Sequence, residues 1–394
     1  MTTANRWLEF KRQVQDFACS LGIDKIGFAT AEPFVDLKQR LQSHRQLGFE
    51  SGFEEPDIDR RVDPRLTMPD AQSIVAIALA YPSLLEHQPK QVKGEYRGWI
   101  SRSAWGEDYH CVLRGKLTRL GQFIEGQEGG ARVKVLVDTG PLSDRAVAER
   151  AGLGWIGKNS MLITPEYGSW VYLGELLTNI PFPPDSPMEE QCGECRLCID
   201  ACSTGAIVQA GQINAQRCIS YLTQTKGSMP DEFRPLLGSR LYGCDTCQQV
   251  CPKNKGIHFS HHKEMLPDVE TARPLLQPLL MMGKREFRAA FGASAASWRG
   301  KKPLDRNAIL ALAHFRDQSA LPLLRTLVEK DPRPVIQATS AWAIGRIAAS
   351  LTGEEREQWR DFLLEMRETW LRCGVVTDDV RMSEAEKALS LLTI

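Results

Sequence analysis

Eight cysteines between positions 192 and 251 constrain this chain more than any other feature. Cys192, Cys195, Cys198 and Cys202 are spaced C-x2-C-x2-C-x3-C. Cys244, Cys247 and Cys251 are spaced C-x2-C-x3-C and followed by Pro252, and Cys218 stands alone between the runs. Eight thiolates are the complement of two four-iron clusters, and in paired sites of this kind the last cysteine of each run crosses to the other cluster. One cluster is therefore predicted on Cys192, Cys195, Cys198 and Cys251, and the other on Cys202, Cys218, Cys244 and Cys247. Zinc sites share the C-x2-C hook but rarely the tight third and fourth cysteines. Disulfides need an oxidising compartment, for which nothing in the chain argues. Ser203 replaces the proline that usually follows such a run, a change of backbone shape rather than of ligand.

The chain has 394 residues, enough for two or three domains, and Lys plus Arg balance Asp plus Glu at 49 each. Zero net charge argues against indiscriminate nucleic-acid binding but leaves local patches open. MTTANRWLEFKRQ lacks the apolar core of a signal peptide, and the longest apolar run, Ser73 to Tyr81, is too short to span a bilayer. A soluble, cytoplasmic protein without membrane partners is expected, monomeric because no apolar stripe is left over for an interface. Cys19, Cys111 and Cys373 fall outside the runs and read as small buried hydrophobes.

Apolar residues at helical spacing over 7–22 predict an amphipathic opening helix. Strands are predicted at Ile23–Phe28, Ser73–Tyr81, Val133–Val137 and Trp170–Leu177, and helices near Asp36–Leu47, Tyr109–Glu125 and Asp144–Ala151. That alternation reads as an α/β domain over 1–180. PFPPDSP (181–187) breaks regular structure and opens the cysteine module, 181–257. The remainder, 258–394, is predicted all-helical. Within it RNAILALA (306–313) and ATSAWAIG (338–345) lie about 32 residues apart, as in HEAT-like repeats. Between Met281 and Arg316, eight basic residues face only Glu286 and Asp305. Such a run is either a solvated face or a surface for a phosphate backbone.

Gly152, Gly154 and Gly157 match G-x-G-x-x-G, but a helical segment precedes them and a strand-like one follows, the reverse of a dinucleotide site. Lys158 is followed by Asn159, not by the Ser or Thr of a P-loop. What survives is a loop whose backbone can approach a ligand closely. Asp138 ends the strand-like VKVLVDTGP. A carboxyl there can have a raised pKa and donate a proton, or it can simply cap an Asx turn. Asp108-Tyr109-His110 begins like the D-x-H-x-x-G corrin-binding motif, yet Leu113 stands where its glycine belongs, so no histidine ligand to a corrinoid is expected from it.

SRSAWGEDYH (101–110), VDTGPLSDRAVAERAGLGWIGKNSMLI (137–163), both cysteine runs and RNAILALAHFRD together resemble the epoxyqueuosine reductases. The resemblance spans almost the whole chain. It implies a cobalamin-binding α/β domain, a bacterial-ferredoxin-like module with two 4Fe–4S clusters and an all-α HEAT-like C-terminal domain. It implies reduction of the epoxide of epoxyqueuosine in tRNA to the alkene, with two electrons and two protons consumed and water released. Cobalamin would convert single electrons from the clusters, fed by an external low-potential donor, into a two-electron change. By the same resemblance Asp138 is the proton donor, and Arg61, Ser101, Asp138, Gly157, Lys158, Asn159, Ser220 and Asp245 contact cobalamin. Lys284, Arg285, Arg288, Arg299, Lys301 and Lys302 are the expected tRNA contacts. Two other functions compete: a corrinoid reductive dehalogenase, and an electron-carrier module on a helical scaffold.

Overall fold

The computed structural model describes residues 3–87, 89, 92 and 94–393. Packing divides the chain into two compact units that alternate along the sequence. One comprises Met1–Leu84, Arg102–Cys218 and Asp245–Leu266; the other comprises Leu85–Ser101, Ile219–Cys244 and Pro267–Ile394.

The first unit is built on a four-stranded sheet ordered Lys25–Thr30, Ser73–Ala80, Val171–Thr178, Val133–Leu136. Every pairing is antiparallel. Alternating strands and helices would equally suit a parallel sheet, and the strand directions are visible only in the pairing. The strand SIVAIALA is buried along its entire length because both of its faces are covered. Successive side chains point to opposite faces of a strand. Val75, Ile77 and Leu79 thus meet Phe10, Val14, Leu113, Leu117 and Leu120 of helices Thr3–Ser20 and Tyr109–Gln127. Ile74, Ala76 and Ala78 meet Leu41 and Val147 of helices Val35–Gln46 and Asp144–Arg150. The second helical layer comes so close that a Cβ on Gly27 would lie 2.1 Å from the Ala151 carbonyl oxygen.

Two local features place side chains at one edge of this sheet. Asp108 caps helix Tyr109–Gln127 by accepting the His110 N–H at 3.0 Å, which puts Tyr109 and His110 on the first turn. Just past strand Val133–Leu136, Asp138 takes a left-handed φ of 45°, uncommon for a residue with a Cβ.

The second unit carries helices Lys301–Phe315, Leu321–Lys330, Pro334–Ala348, Gly353–Arg372 and Val380–Leu392. The two look-alike segments lie in the first and third of these, buried almost throughout. Small residues there permit close helix approach: a Cβ on Gly345 would sit 2.6 Å from Ala388. Arg306 is 1% exposed and donates to the carbonyls of Leu222, Thr225 and Gly227, while Asn307 donates to those of Thr223 and Leu241. Residues 222–241 are thereby fastened to the first repeat helix. Among the described residues no helix is long and apolar enough to cross a membrane.

Candidate functional site

Cys192, Cys195, Cys198 and Cys251 line one pocket together with Lys158, Asn159, Ile163, Gln191, Pro252 and Lys253. These are the four cysteines expected to share a cluster, with Cys251 brought in from the other run. Burial pushes the thiols of Cys192, Cys198 and Cys251 up, and Cys195 adds unfavourable charge beside Cys198 and Cys251. Such a group is unfavourable as bare thiolates; an iron cluster removes the penalty, because metal coordination keeps thiols deprotonated. The pocket also offers an unsatisfied donor. Asn159 is 1% exposed, its Oδ1 accepts the Met161 N–H at 3.2 Å, and its Nδ2 has no hydrogen-bond partner. Cluster sulfurs accept such N–H bonds, so the donor set fits. Cys202 differs: burial raises its thiol, but N–H groups of Ile207, Ala206 and Thr204 and the Thr204 hydroxyl outweigh burial and lower it.

At the sheet edge five polar residues converge. Asp138 Oδ2 accepts the Tyr109 hydroxyl at 2.9 Å and faces His110 Nε2 at 3.2 Å, while His110 Nδ1 faces Asp108 Oδ1 at 2.7 Å. The Asp138 N–H donates to Asp144 Oδ2 at 3.0 Å. An ionised carboxylate only accepts hydrogen bonds. With a carboxylate at each ring nitrogen, His110 is best satisfied as the doubly protonated imidazolium. Hydrogen bonding to Asp108, and then to Asp138, accordingly lifts His110 to about 9 against the opposing effect of burial. For Asp138 the expectation of a raised pKa is corrected. Burial does push it up, but hydrogen bonds from His110 and Tyr109 and the charges of His110 and Arg145 hold it below the ordinary carboxylate range. Behind it Asp144 is raised to about 7, first by burial and then by the charge of Asp138, while a hydrogen bond from Glu175 opposes the shift; Glu175 is raised by burial and then by the charge of Asp144.

The other predicted positions have varied surroundings. Arg61 is largely buried and pairs with Glu50 at 3.3 Å. Asp245 forms a buried ion pair with Arg102 at 2.9 Å, and Arg102 packs over the Trp105 and Trp170 rings. Gly157 turns toward Ile163, whose Cδ1 would lie 2.5 Å from an added Cβ, and Lys158 donates to the Gly193 carbonyl. A helix before this loop and the short strand Leu162–Ile163 after it are the reverse of a dinucleotide fingerprint. In the other unit, Ser101 is 2% exposed and donates its N–H to the Tyr242 carbonyl at 2.8 Å, while the Ser220 carbonyl accepts from Thr223 Oγ1 at 2.8 Å. Lys284, Arg285 and Arg288 are exposed, on a helix whose Phe287 and Phe291 are buried. Arg299 and Lys302 are half-buried. Lys301 is also half-buried, bonded to the Asp305 carboxylate at 2.6 Å, which leaves it little charge to present outward. Cys19, Cys111 and Cys373 are all exposed, contrary to the expectation of small buried hydrophobes.

Comparison with known proteins matches three segments to family profiles. Residues 61–139 match epoxyqueuosine reductase QueG, DUF1730; residues 191–254 match a 4Fe-4S double cluster binding domain; residues 299–369 match HEAT repeats. The chain is 59% identical over 350 residues to the epoxyqueuosine reductase of Bacillus subtilis, covering 89% of this chain and 91% of that one. The Escherichia coli epoxyqueuosine reductase is 34% identical over 349 residues, covering 80% and 91%. The chain belongs to the epoxyqueuosine reductase family. A crystal structure of an epoxyqueuosine reductase with an epoxyqueuosine-modified tRNA-Tyr stem loop matches with a TM-score of 0.93 and 54% identity, over 98% of this chain and 100% of that one. A Bacillus subtilis epoxyqueuosine reductase structure, whose aspartate-bearing catalytic loop is swung out of the active site, matches at a TM-score of 0.92 and 54% identity over 98% and 99%.

As a member of that family the chain is an oxidoreductase with an iron–sulfur module and HEAT repeats. Sequence reasoning picked out Asp138 but not His110, Tyr109, Asp108, Asp144 or Glu175 as its partners. In sequence Asp108-Tyr109-His110 reads only as a broken corrin-binding motif, and that reading conceals the use the structure makes of them around Asp138.

Proposed function

We propose that the protein reduces the epoxide of epoxyqueuosine in tRNA to the alkene of queuosine, consuming two electrons and two protons and releasing water. The observation that carries this reading is the likeness, at 54% identity over 98% of the chain, to an epoxyqueuosine reductase bound to an epoxyqueuosine-modified stem loop. Cys192, Cys195, Cys198 and Cys251, and Cys202, Cys218, Cys244 and Cys247, would hold two 4Fe–4S clusters, which when bound would supply single-electron transfer from an external low-potential donor. When bound, cobalamin supplies the conversion from one-electron to two-electron chemistry. Arg61, Asp138, Gly157, Lys158, Asn159 and Asp245 of the first unit would hold it. The donor set suits it: Ser160 Oγ is buried without a partner in that Gly-rich loop, and the amide-fringed periphery of a corrin needs such groups. His110 is held by two carboxylates, in keeping with the absence of a corrin-ligand motif around it.

Asp138 is the group that delivers a proton to the opening epoxide oxygen. Both bonds that hold it land on Oδ2, and its side chain is 58% exposed, so Oδ1 is the oxygen able to address substrate. Lys284, Arg285, Arg288, Arg299 and Lys302, with a smaller part for Lys301, bind the tRNA backbone. The protein acts as a monomer in the cytoplasm. A bare electron carrier would leave the Asp138 constellation without use. The test is anaerobic turnover of epoxyqueuosine-containing tRNA by the cluster-loaded protein, with and without cobalamin. Turnover that depends on cobalamin is expected. Undiminished turnover without cobalamin, or none with it, overturns the reading.

A further inference from the structure

At neutral pH Asp138 is poorly suited to its own task. A donor must carry a proton, yet the hydrogen bonds that hold this carboxyl favour its ionised form. The proton lies one bond away. His110 Nε2 is 3.2 Å from Asp138 Oδ2, and its opposite ring nitrogen is fixed by Asp108 at 2.7 Å. Asp108 is itself held in place as the helix N-cap, and Tyr109 braces Asp138 from the same turn. The ring therefore cannot rotate away without breaking two carboxylate interactions. We propose that His110 is the proton reservoir behind Asp138: its Nε2 proton passes to Asp138 Oδ2, and a turn of the carboxyl about Cβ–Cγ then carries that proton to the substrate oxygen.

This inference rests on the proposed epoxide reduction. That reaction breaks two C–O bonds, forms one C=C bond and takes two electrons through the clusters. The oxygen leaves as water after accepting two protons in turn, one as the ring opens and one as hydroxide departs. Both pass through Asp138. After each transfer neutral His110, whose side chain is 25% exposed, recovers a proton from solvent. The charged and titratable groups around the pair are Asp108 and Tyr109 on its own turn, Arg145 and Asp144 on the facing helix, and Glu175 on the strand beneath. With Asp138 low and His110 at about 9, the pair holds one transferable proton between those values and loses it as pH rises through about 9. Turnover should fall along that alkaline limb.

The experiment compares His110→Gln, His110→Ala and Asp138→Asn in holoenzyme acting on epoxyqueuosine-containing tRNA, across pH. His110→Gln keeps a hydrogen-bonding side chain but no transferable proton. It should lower kcat by about a hundredfold with KM unchanged within about twofold, and abolish the alkaline limb. Added imidazole should restore part of the activity of His110→Ala. Independently of turnover, ring-nitrogen NMR should find His110 titrating well above an ordinary histidine in wild type and falling back toward it in Asp138→Asn. A His110→Gln enzyme with wild-type kcat and an intact alkaline limb, beside a slow Asp138→Asn, would sink the relay alone. A wild-type holoenzyme that never reduces the epoxide sinks the functional reading and the relay with it. An ordinary His110 titration in wild type refutes the pairing.

Discussion

The cysteine pocket and the Asp138 constellation are both held within one compact unit, yet they are assembled in opposite ways. In the pocket the chemistry resides in residue type and short spacing: three ligands come from seven consecutive residues, and Cys251 joins them from the second run. At Asp138 only Asp144, six residues on, is near in sequence, and the side-chain partners come from far away. His110 is 28 residues away and Tyr109 is 29 residues away, brought together by a helix start and a strand end. Ligand sets can thus be written locally, whereas the protonation state of a single carboxyl is a property of the surrounding fold. Asp138 illustrates this, since the same residue that reads as a raised acid in isolation is held low by its neighbours.

The sharpest way to break the contrast is to damage each region separately. Cys195→Ala should remove one cluster, lowering iron from about eight to about four per chain, and abolish turnover because electrons no longer pass. Cys247→Ala should do the same to the other cluster. Iron content and electron paramagnetic resonance decide this; full iron in both variants defeats the ligand assignment. Asp138→Asn should leave iron and cobalamin content nearly intact while slowing epoxide reduction by about a hundredfold or more, since it removes the transferable proton but keeps size and most hydrogen bonding. Near-wild-type rates at every pH would return Asp138 to the role of turn residue.

A smaller effect is expected on the exposed helix of the other unit. Neutralising Lys284, Arg285 and Arg288 together should weaken tRNA binding and flatten the dependence of log affinity on log salt. The slope should fall by about 0.7–0.9 for each phosphate that the helix no longer neutralises. An unchanged slope would mark that helix as merely solvated. Adding Lys301 to the set should contribute little, because its charge is already taken by Asp305. The smallest effect belongs to Asn159→Leu. Losing its N–H should lower the potential of the Cys192–Cys251 cluster and leave the other cluster's potential alone, as redox titration would reveal. A shift in neither cluster would mean that the Asn159 amide does not reach the sulfurs.

Much of this protein was legible before any coordinates. The four sheet strands and the helices around them lie within a few residues of the apolar runs that predicted them, because burial on one or both faces writes itself into sequence period. The paired cysteine runs carried the cluster module, and the small-residue helices carried the repeats. Other features depend on partners far apart in the chain. The antiparallel order of the sheet is decided by which backbone edges pair. The exposure of Cys19, Cys111 and Cys373 is decided by which helix faces remain uncovered. Arg306 and Lys301, two cations in a basic run, are turned inward by carbonyls at 222–227 and by the Asp305 carboxylate.

By itself, then, the sequence determined which elements form and which metal chemistry the chain can hold, because both depend on residue type at short, regular spacing. Only the tertiary structure decided where the proton resides, because ionisation depends on the charges and donors within a few ångströms, and folding alone brings Asp108, His110, Asp138 and Asp144 that close.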